Sequence, residues 1–531
     1  MVLTTAAQMK ELDRRTIENL GLPGLVLMEN AARGAVQVLL KEFPQARSIA
    51  VLCGKGNNGG DGLAMARYFQ SRGLSVQVFL AGARKDLKGD AAQQLHWADS
   101  LGVPVVELTG PGDPVLNNYL PRADLLVDAL LGTGLENEVR GIFRDIITRI
   151  NKEPIPKAAI DIPSGLSSDT GRPLGLCVEA DLTVTFGLPK IGQVLFPGSR
   201  YAGRLFVIDI GIPPVFWPPV RERVELLESA DLAAFLPKRE PDGHKGSYGH
   251  VYLLAGSKGK TGAAAMSSLG ALRAGAGLVT LGIPESLNPI LEIKLTEAMT
   301  DPLPEGEAGY LGAKALDQVL YSLKGKKGLA LGPGLSTSEG TRELVRAVIK
   351  NTQDLPLVID ADGLNILAES RDLLPHLSGR AILTPHPGEM ARLSGESIGD
   401  IQSSRIESAR EFSNRYGVIV VLKGARTIIA DPVGPVYVNP AAHSVLAAGG
   451  TGDVLTGLIL GLVSQGLPLI QAACLGVFLH GQAGIILARE KGDQGILASE
   501  LLEVIPRLLS EKESWAGWEK EELPLIREIN L

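Results

Sequence analysis

Cysteine is scarce: Cys53, Cys177 and Cys474 are the three in 531 residues, far apart and odd in number. That excludes a disulfide framework. With no Cys-x-x-Cys pair or Cys/His cluster there is no zinc signature either, and the three read as reduced core thiols of a cytoplasmic protein. Long runs of Lys or Arg are also missing, and a net charge of −7 argues against a nucleic-acid surface. The N-terminus becomes charged almost at once and lacks the apolar centre of a signal peptide. The most apolar late segment, residues 472–488, contains His480 and Gln482 and is short for a membrane span. It reads as a buried helix, and no membrane partner is expected.

What is present is ordinary for a globular protein, with 45% hydrophobic and 21% charged residues. A chain of 531 residues is too long for one core, so two large or three smaller domains are expected. Residues 1–45 read as one or two helices broken at Gly21-Leu22-Pro23-Gly24. Apolar runs at 48–52, 75–80, 125–128, 158–161, 182–186 and 205–209 then alternate with helical patterns at 62–71, 91–100 and 141–150. Strands spaced by helices imply βαβ units and a mostly parallel sheet. Four prolines between Gly211 and Val220 deny that segment helix and interior strand, which puts the domain boundary there. The alternation restarts with candidate strands at 250–255, 278–282, 328–331, 357–360, 381–384 and 418–422. A hairpin of 427–430 with 436–438 follows, and long helices close the chain. The fold class is α/β, in two domains.

The densest chemical signal is Gly449-Gly450-Thr451-Gly452-Asp453, followed by apolar residues at helical spacing. Small residues, one carboxylate and then a helix describe a glycine loop whose N–H groups and helix dipole favour an anionic phosphoryl group. Asp453 stands beside it as a base for an acceptor hydroxyl. Taken alone, the same five residues also make a tight loop with a helix-terminal acid.

In the first half Gly54, Gly56 and Gly59 satisfy the dinucleotide fingerprint in Gly54-Lys55-Gly56-Asn57-Asn58-Gly59-Gly60-Asp61-Gly62. The ribose-binding acid that should end the second strand is absent from Phe79-Leu80-Ala81-Gly82, which disfavours a hydride-transfer dehydrogenase. Two asparagines and an aspartate in a phosphate loop suggest a metal or a hydroxylated ligand instead. Polar loops also follow two later strands, at Asp128-Ala129-Leu130-Leu131-Gly132-Thr133-Gly134 and Asp161-Ile162-Pro163-Ser164-Gly165. Asn58, Asp128 and Ser164 can offer oxygens to a hard cation, leaving Asp161 for proton transfer.

The motifs KGNNGGDG, VDALLGTGL and DIPSGL resemble those of the NAD(P)HX epimerase family, which interconverts the R and S forms of NADH or NADPH hydrated at the nicotinamide ring. The resemblance covers residues 1–215 and implies a Rossmann-like three-layer domain. It further implies substrate contacts from Asn57, Asn58, Gly59, Gly60, Asp61, Gly132, Thr133, Gly134, Leu135, Glu136, Asn137, Glu138 and Asp161. Asp161 would act at the ring, and Asn58, Asp128 and Ser164 would coordinate K+.

In the second half Gly256-Ser257-Lys258-Gly259-Lys260-Thr261 suggests a Walker A loop, but Leu254 stands where that motif needs glycine. Strand-end loops follow at Gly332-Pro333-Gly334, Asp360-Ala361-Asp362, Thr384-Pro385-His386-Pro387-Gly388-Glu389 and Lys423-Gly424-Ala425-Arg426-Thr427. Four such loops with GGTGD make a constellation for phosphoryl chemistry on a nucleotide. This half resembles the ribokinase-like ADP/ATP-dependent NAD(P)HX dehydratase family over residues 225–510.

That resemblance implies ADP with Mg2+ held by Lys423, Gly424, Ala425, Arg426, Thr427 and Gly452. It implies hydrate contacts from Ala263, Gly334, His386 and Asp453, with Asp453 as base. Where the family usually has a Thr-Gly-Asn-Pro-like run, this chain has Ala441-Ala442-His443-Ser444. The two halves in this order resemble the bifunctional NAD(P)HX repair family, acting on NADHX or NADPHX with ADP, and a homo-oligomer is expected. The runner-up is a small-alcohol kinase for a vitamin precursor, fused to a non-catalytic nucleotide-binding module.

Overall fold

The computed structural model describes residues 1–511, 515, 526–529 and 531. The chain divides into two compact units, one of Val2–Pro219 completed by the strand Ile526–Ile529, the other starting at Val220.

The first unit opens with helices Ala6–Glu18 and Gly24–Glu42. Thr5 and Gln8 form a capping box at the first, satisfying two N–H groups that have no partner inside the helix. Across the sheet the order is Val105–Glu107, Ser75–Leu80, Ser48–Cys53, Leu125–Ala129, Lys157–Ile160, Leu182–Phe186 and Arg204–Ile208, all parallel. Ile526–Ile529 adds antiparallel at the edge. Both faces of the central strands are covered, and Val51, Leu52, Val127 and Ile160 are fully enclosed.

In the second unit the order is Val224–Leu226, Val436–Val438, Ile428–Ala430, Ile419–Leu422, Ala381–Leu383, Leu357–Ile359, Gly328–Leu331, His250–Leu254, Leu278–Pro284 and Met299–Leu303. The six strands from Ile419–Leu422 to Leu278–Pro284 run parallel, and the hairpin Ile428–Ala430 with Val436–Val438 is antiparallel as expected. Helix Thr451–Ser464 packs on Thr261–Arg273 at backbone contact. A Cβ on Gly457 would fall 2.1 Å from the Ser267 carbonyl oxygen, so only glycine permits the approach. Helix Leu469–Lys491 is long and apolar enough to cross a membrane, but 61% of its apolar window is buried inside this unit. Phe478 on that helix meets the buried ring of Trp515, 5.3 Å between centroids.

Strands Val105–Glu107, Val224–Leu226, Met299–Leu303 and Ile526–Ile529 are absent from the expectations. Each is short, and Pro302 sits in one of them, tolerable because that strand closes the edge of its sheet. A larger difference concerns residues 57–61. They form the first turn of helix Asn57–Ser71 and are not a phosphate loop ahead of a helix starting at 62. Gly59 explains it, since a Cβ there would lie 1.9 Å from the Gly54 carbonyl oxygen. This glycine serves the packing of the helix start onto the strand end.

Candidate active sites

In the first unit the strand order reverses between Ser48–Cys53 and Leu125–Ala129, the place where an open α/β sheet leaves a crevice at its carboxyl ends. A cavity of about 1020 Å3 lies there. Asn57, Asn58, Asp61, Gly132, Thr133, Gly134, Leu135, Glu136 and Asp161 all line it. Gly59 and Gly60 do not, being spent on packing, and Asn137 and Glu138 point to solvent. Both side-chain amide atoms of Asn58 are buried without a hydrogen-bond partner. An orphaned buried amide is costly, which marks a place for a ligand.

Register places Asp128 beside Leu52 near the strand ends. Burial lifts the Asp128 carboxyl to about 6, against hydrogen bonds from the Ser164 hydroxyl (2.6 Å), the Ser164 amide (2.8 Å) and the Leu130 amide (3.2 Å). Asp61 is pushed well above the usual carboxylate range by burial and by the nearby Asp161 and Asp13.

Asp161 has φ of 64°, a conformation that costs a non-glycine residue and persists only where its surroundings enforce it. Its N–H donates to the Val184 carbonyl at 2.8 Å, and its carbonyl accepts from Gln193 Nε2 at 2.6 Å. Its Oδ1 accepts from Lys190 Nζ at 2.5 Å. Lys190 is 1% exposed and gives its remaining protons to Thr185 Oγ1 (2.8 Å) and the Phe186 carbonyl (3.2 Å). Sequence reasoning missed Lys190. The available signal is that it is the single charge in the apolar stretch 182–195.

The second unit has its own reversal, between His250–Leu254 and Gly328–Leu331. It brings Ala263 and Gly334 together: a Cβ on Gly334, where φ is 62°, would stand 3.1 Å from Ala263 Cβ. Lys260 Nζ donates to Asp362 Oδ2 at 2.9 Å, and the Ser336 amide donates to the same oxygen at 2.8 Å, tying these loops to the strand end at Asp360. The other non-glycine residues with positive φ among the described ones are Ser336, Ala361 and Arg426, and each sits in a strand-end loop of this site. Strain gathered in this way is characteristic of functional loops.

Lys423 is the hub. Its Nζ donates to Asp360 Oδ1 at 2.7 Å, lies 3.8 Å from Glu389 Oε2, and would be 3.4 Å from a Cβ on Gly452. Burial would lower this ammonium, yet Asp360 and Glu389 hold it above the ordinary lysine value. Asp453 stands in the first turn of helix Thr451–Ser464, whose N-cap Gly450 has φ of 94°. Burial lifts the Asp453 carboxyl to about 7, with Asp360 adding and Lys423 opposing. His480, buried and lowered to about 4 chiefly by desolvation, bonds through Nε2 to the Thr451 carbonyl at 2.9 Å, bracing that turn.

Arg405 steadies the loop after Ile419–Leu422 by donating to the carbonyls of Leu422 (3.1 Å) and Ala425 (2.5 Å), and Thr427 Oγ1 closes it onto the Gly424 carbonyl at 3.1 Å. The His386 ring is engaged within its own loop. Its Nδ1 accepts the amides of Gly388 (3.0 Å) and Glu389 (3.3 Å), capping helix Pro387–Ser394, and its Nε2 lies 3.5 Å from Glu389 Oε1. Asp360, Asp362 and Glu389 were visible only as strand-end residues; their shared pairing with lysines comes from the fold.

Because Asp360 is 2% exposed, Lys423→Met should cost about 3–5 kcal/mol of stability, the usual penalty for leaving a buried charge without its partner. Denaturant unfolding measures this directly. An unchanged midpoint would mean that the Thr456 hydroxyl, 2.8 Å from Asp360 Oδ2, suffices to hold the carboxylate.

Comparison with known proteins matches residues 251–507 to the NAD(P)H-hydrate dehydratase family and residues 24–192 to the family described as YjeF-related protein N-terminus. A bifunctional NAD(P)H-hydrate repair enzyme of Moorella thermoacetica is 44% identical, covering 96% of this chain and 97% of its own. The enzyme of the same name from Escherichia coli is 35% identical over 94% of this chain and 92% of its own. Among solved structures, an ADP/ATP-dependent NAD(P)H-hydrate dehydratase from Bacillus subtilis, co-crystallized with ATP/Mg2+, is 33% identical with a TM-score of 0.47, covering 54% of this chain and 99% of its own. With both family matches in order and a relative 44% identical over 96% of the chain, the chain belongs to the family of bifunctional NAD(P)H-hydrate repair enzymes.

Proposed function

We propose that the second unit dehydrates the S epimer of NADHX or NADPHX at the expense of ADP, and that the first unit supplies that epimer from R. The observation that carries the reading is Asp453, a half-buried carboxyl raised to about 7 in the first turn of a helix, with the Lys423 ammonium, paired to Asp360, opposing that rise. A carboxylate titrating near neutrality is matched to taking a hydroxyl proton, and the helix N-terminus with Lys423 favours the charge of a phosphoryl group in transfer.

In this reading Asp453 removes the proton of the hydrate's hydroxyl, and that oxygen bonds to the terminal phosphorus as the bond to AMP breaks. Phosphate then leaves with the C–O electron pair, the ring nitrogen's lone pair compensates, and loss of a proton from the neighbouring carbon restores the dihydronicotinamide. Lys423, Gly424, Ala425, Arg426, Thr427 and Gly452 hold the nucleotide, which brings Mg2+ with it. Ala263, Gly334 and His386 bind the hydrate beside Asp453.

In the first unit Asn57, Asn58 and Asp61, with residues 132–138, bind the dinucleotide, and Asp161 moves the proton. K+ suits the oxygens of Asn58, Asp128 and Ser164: they are hard donors, and the buried Asn58 Oδ1 is otherwise unpartnered. Bound there, K+ supplies positive charge toward the substrate's oxygens. Three free buried thiols agree with a reducing, cytoplasmic setting.

Mixing the protein with hydrated NADH and ADP should restore reduced-nicotinamide absorbance; no recovery with ADP or with ATP would overturn the dehydratase reading. We further propose that each unit folds alone. Fragments ending near Pro214 and starting near Arg221 should each melt cooperatively. A molten N-terminal fragment would mean that the edge strand Arg204–Ile208 requires its cover, Ile526–Ile529.

A further inference from the structure

The geometry points to Asp13 as the acid of the epimerase site, the group that protonates the departing hydroxyl while Asp161 acts as base. This rests on the epimerase reading above. Asp13 lies on helix Ala6–Glu18, whose Met9, Leu12 and Thr16 turn into the core. Its own carboxyl lines the cavity shared by Asn58, Asp161 and Lys190. Among the described residues no hydrogen bond engages that carboxyl, which leaves it available to a ligand.

Facing Asp13 are Asp61 from helix Asn57–Ser71 and the paired Asp161 and Lys190 from strand-end loops. Lys10 shares its helix, and Asp169 accepts that helix's first amide, from Ala6, at 2.7 Å. One buried ammonium therefore serves three carboxyl groups. Lys190 spends its hydrogen bonds on Asp161, Thr185 and Phe186, and it touches Asp13 only through space. Two carboxyl groups in one cavity with one directly paired divide into acid and base by environment. Burial lifts the Asp13 carboxyl to about 6, Lys190 pulling it down and Asp161 pushing it up. Burial raises the Asp61 carboxyl as well, with Asp161 and Asp13 pushing the same way and Lys190 opposing.

Interconverting R and S requires the C–O bond at the hydroxylated carbon to break and to form again from the other face. Asp13 gives its proton to the hydroxyl, which leaves as water with the C–O electron pair. The ring nitrogen's lone pair closes a C=N+ bond. A water then adds from the opposite face, the C=N+ pair returns to nitrogen, and the water's surplus proton goes to Asp161. Exchange with solvent restores both carboxyl groups for the next turnover.

The test is Asp13→Asn in the full-length chain, with R/S exchange followed by NMR on separated epimers without nucleotide. Exchange should slow by about 10²–10⁴, the usual loss for a missing general acid. Because the acid must carry its proton, wild-type exchange should fall as pH rises through about 6, and the Asn variant should lack that limb. Asp13→Glu should recover part of the rate. Binding of the hydrate, measured by equilibrium titration, should survive in the Asn variant; binding lost together with exchange would make Asp13 structural and overturn the inference. A wild-type chain that exchanges epimers and an Asn variant that matches its rate and pH profile overturn this inference alone. A wild-type chain that leaves the R epimer untouched overturns the epimerase reading as well.

Discussion

Asp453→Asn should abolish dehydration of the hydrate and leave folding and nucleotide binding in place. Asparagine keeps the shape of the side chain in the first turn of its helix but cannot take the hydroxyl proton, a loss worth about 10²–10⁴ in rate. The wild-type rate should rise with pH through about 7, because the base must be ionised, and the residual rate of the variant should not. Stability should move the opposite way. The folded-state value of Asp453 lies above that of an unfolded aspartate, so the folded chain holds a proton that the unfolded chain releases. Its contribution is complete below about 4 and is lost as pH climbs through about 7. The variant removes that charge, so it should melt at a higher temperature than wild type at pH 8 and differ little at acid pH. Near-normal turnover would reduce Asp453 to a helix-terminal acid; a lower melting temperature at pH 8 would show that burial does not strain the carboxylate.

Asp161→Asn should split the pathway. If the second site accepts the S epimer alone, an R/S mixture with ADP should lose its S part at the normal rate and then stop. The R part would drain only as fast as the hydrates interconvert unaided. The asparagine oxygen can still accept from Lys190 Nζ, now 2.5 Å from Asp161 Oδ1, so geometry is kept while the base is removed. The buried lysine loses its counter-charge, and a cost of about 3–5 kcal/mol to the first unit is the expected accompaniment. Adding unmutated N-terminal unit should restart consumption, since the hydrate diffuses between proteins. Consumption of both epimers at the wild-type rate would make Asp161 a structural residue, held for its bond to Lys190.

Two α/β units, the proline-rich boundary segment, the strand-end loops and the helix beginning after Gly450 were all legible in the sequence. Each is a local matter: apolar period, proline's missing donor, glycine's freedom at positive φ and a carboxylate in a first turn are decided by neighbours a few residues away. The helix start at Asn57 was not legible. Five glycines in nine residues argue for a loop, and only the close approach of Gly59 to the Gly54 carbonyl makes helix the better state.

The short edge strands were hidden for a similar reason, since Val105–Glu107 and Met299–Leu303 are made by partners far along the chain. The charged groups of the two sites divide along the same line. Asp161 and Asp453 announce themselves by position within their motifs. Lys190 becomes a site residue because Asp161, Thr185 and Phe186 converge on its ammonium, and Asp13 because a helix from the start of the chain forms one wall of the cavity. Spacing along the chain carries the identity of a carboxylate. Which cation it meets, and whether water reaches it, is decided when distant segments pack together, because Coulomb pairing and desolvation act through space.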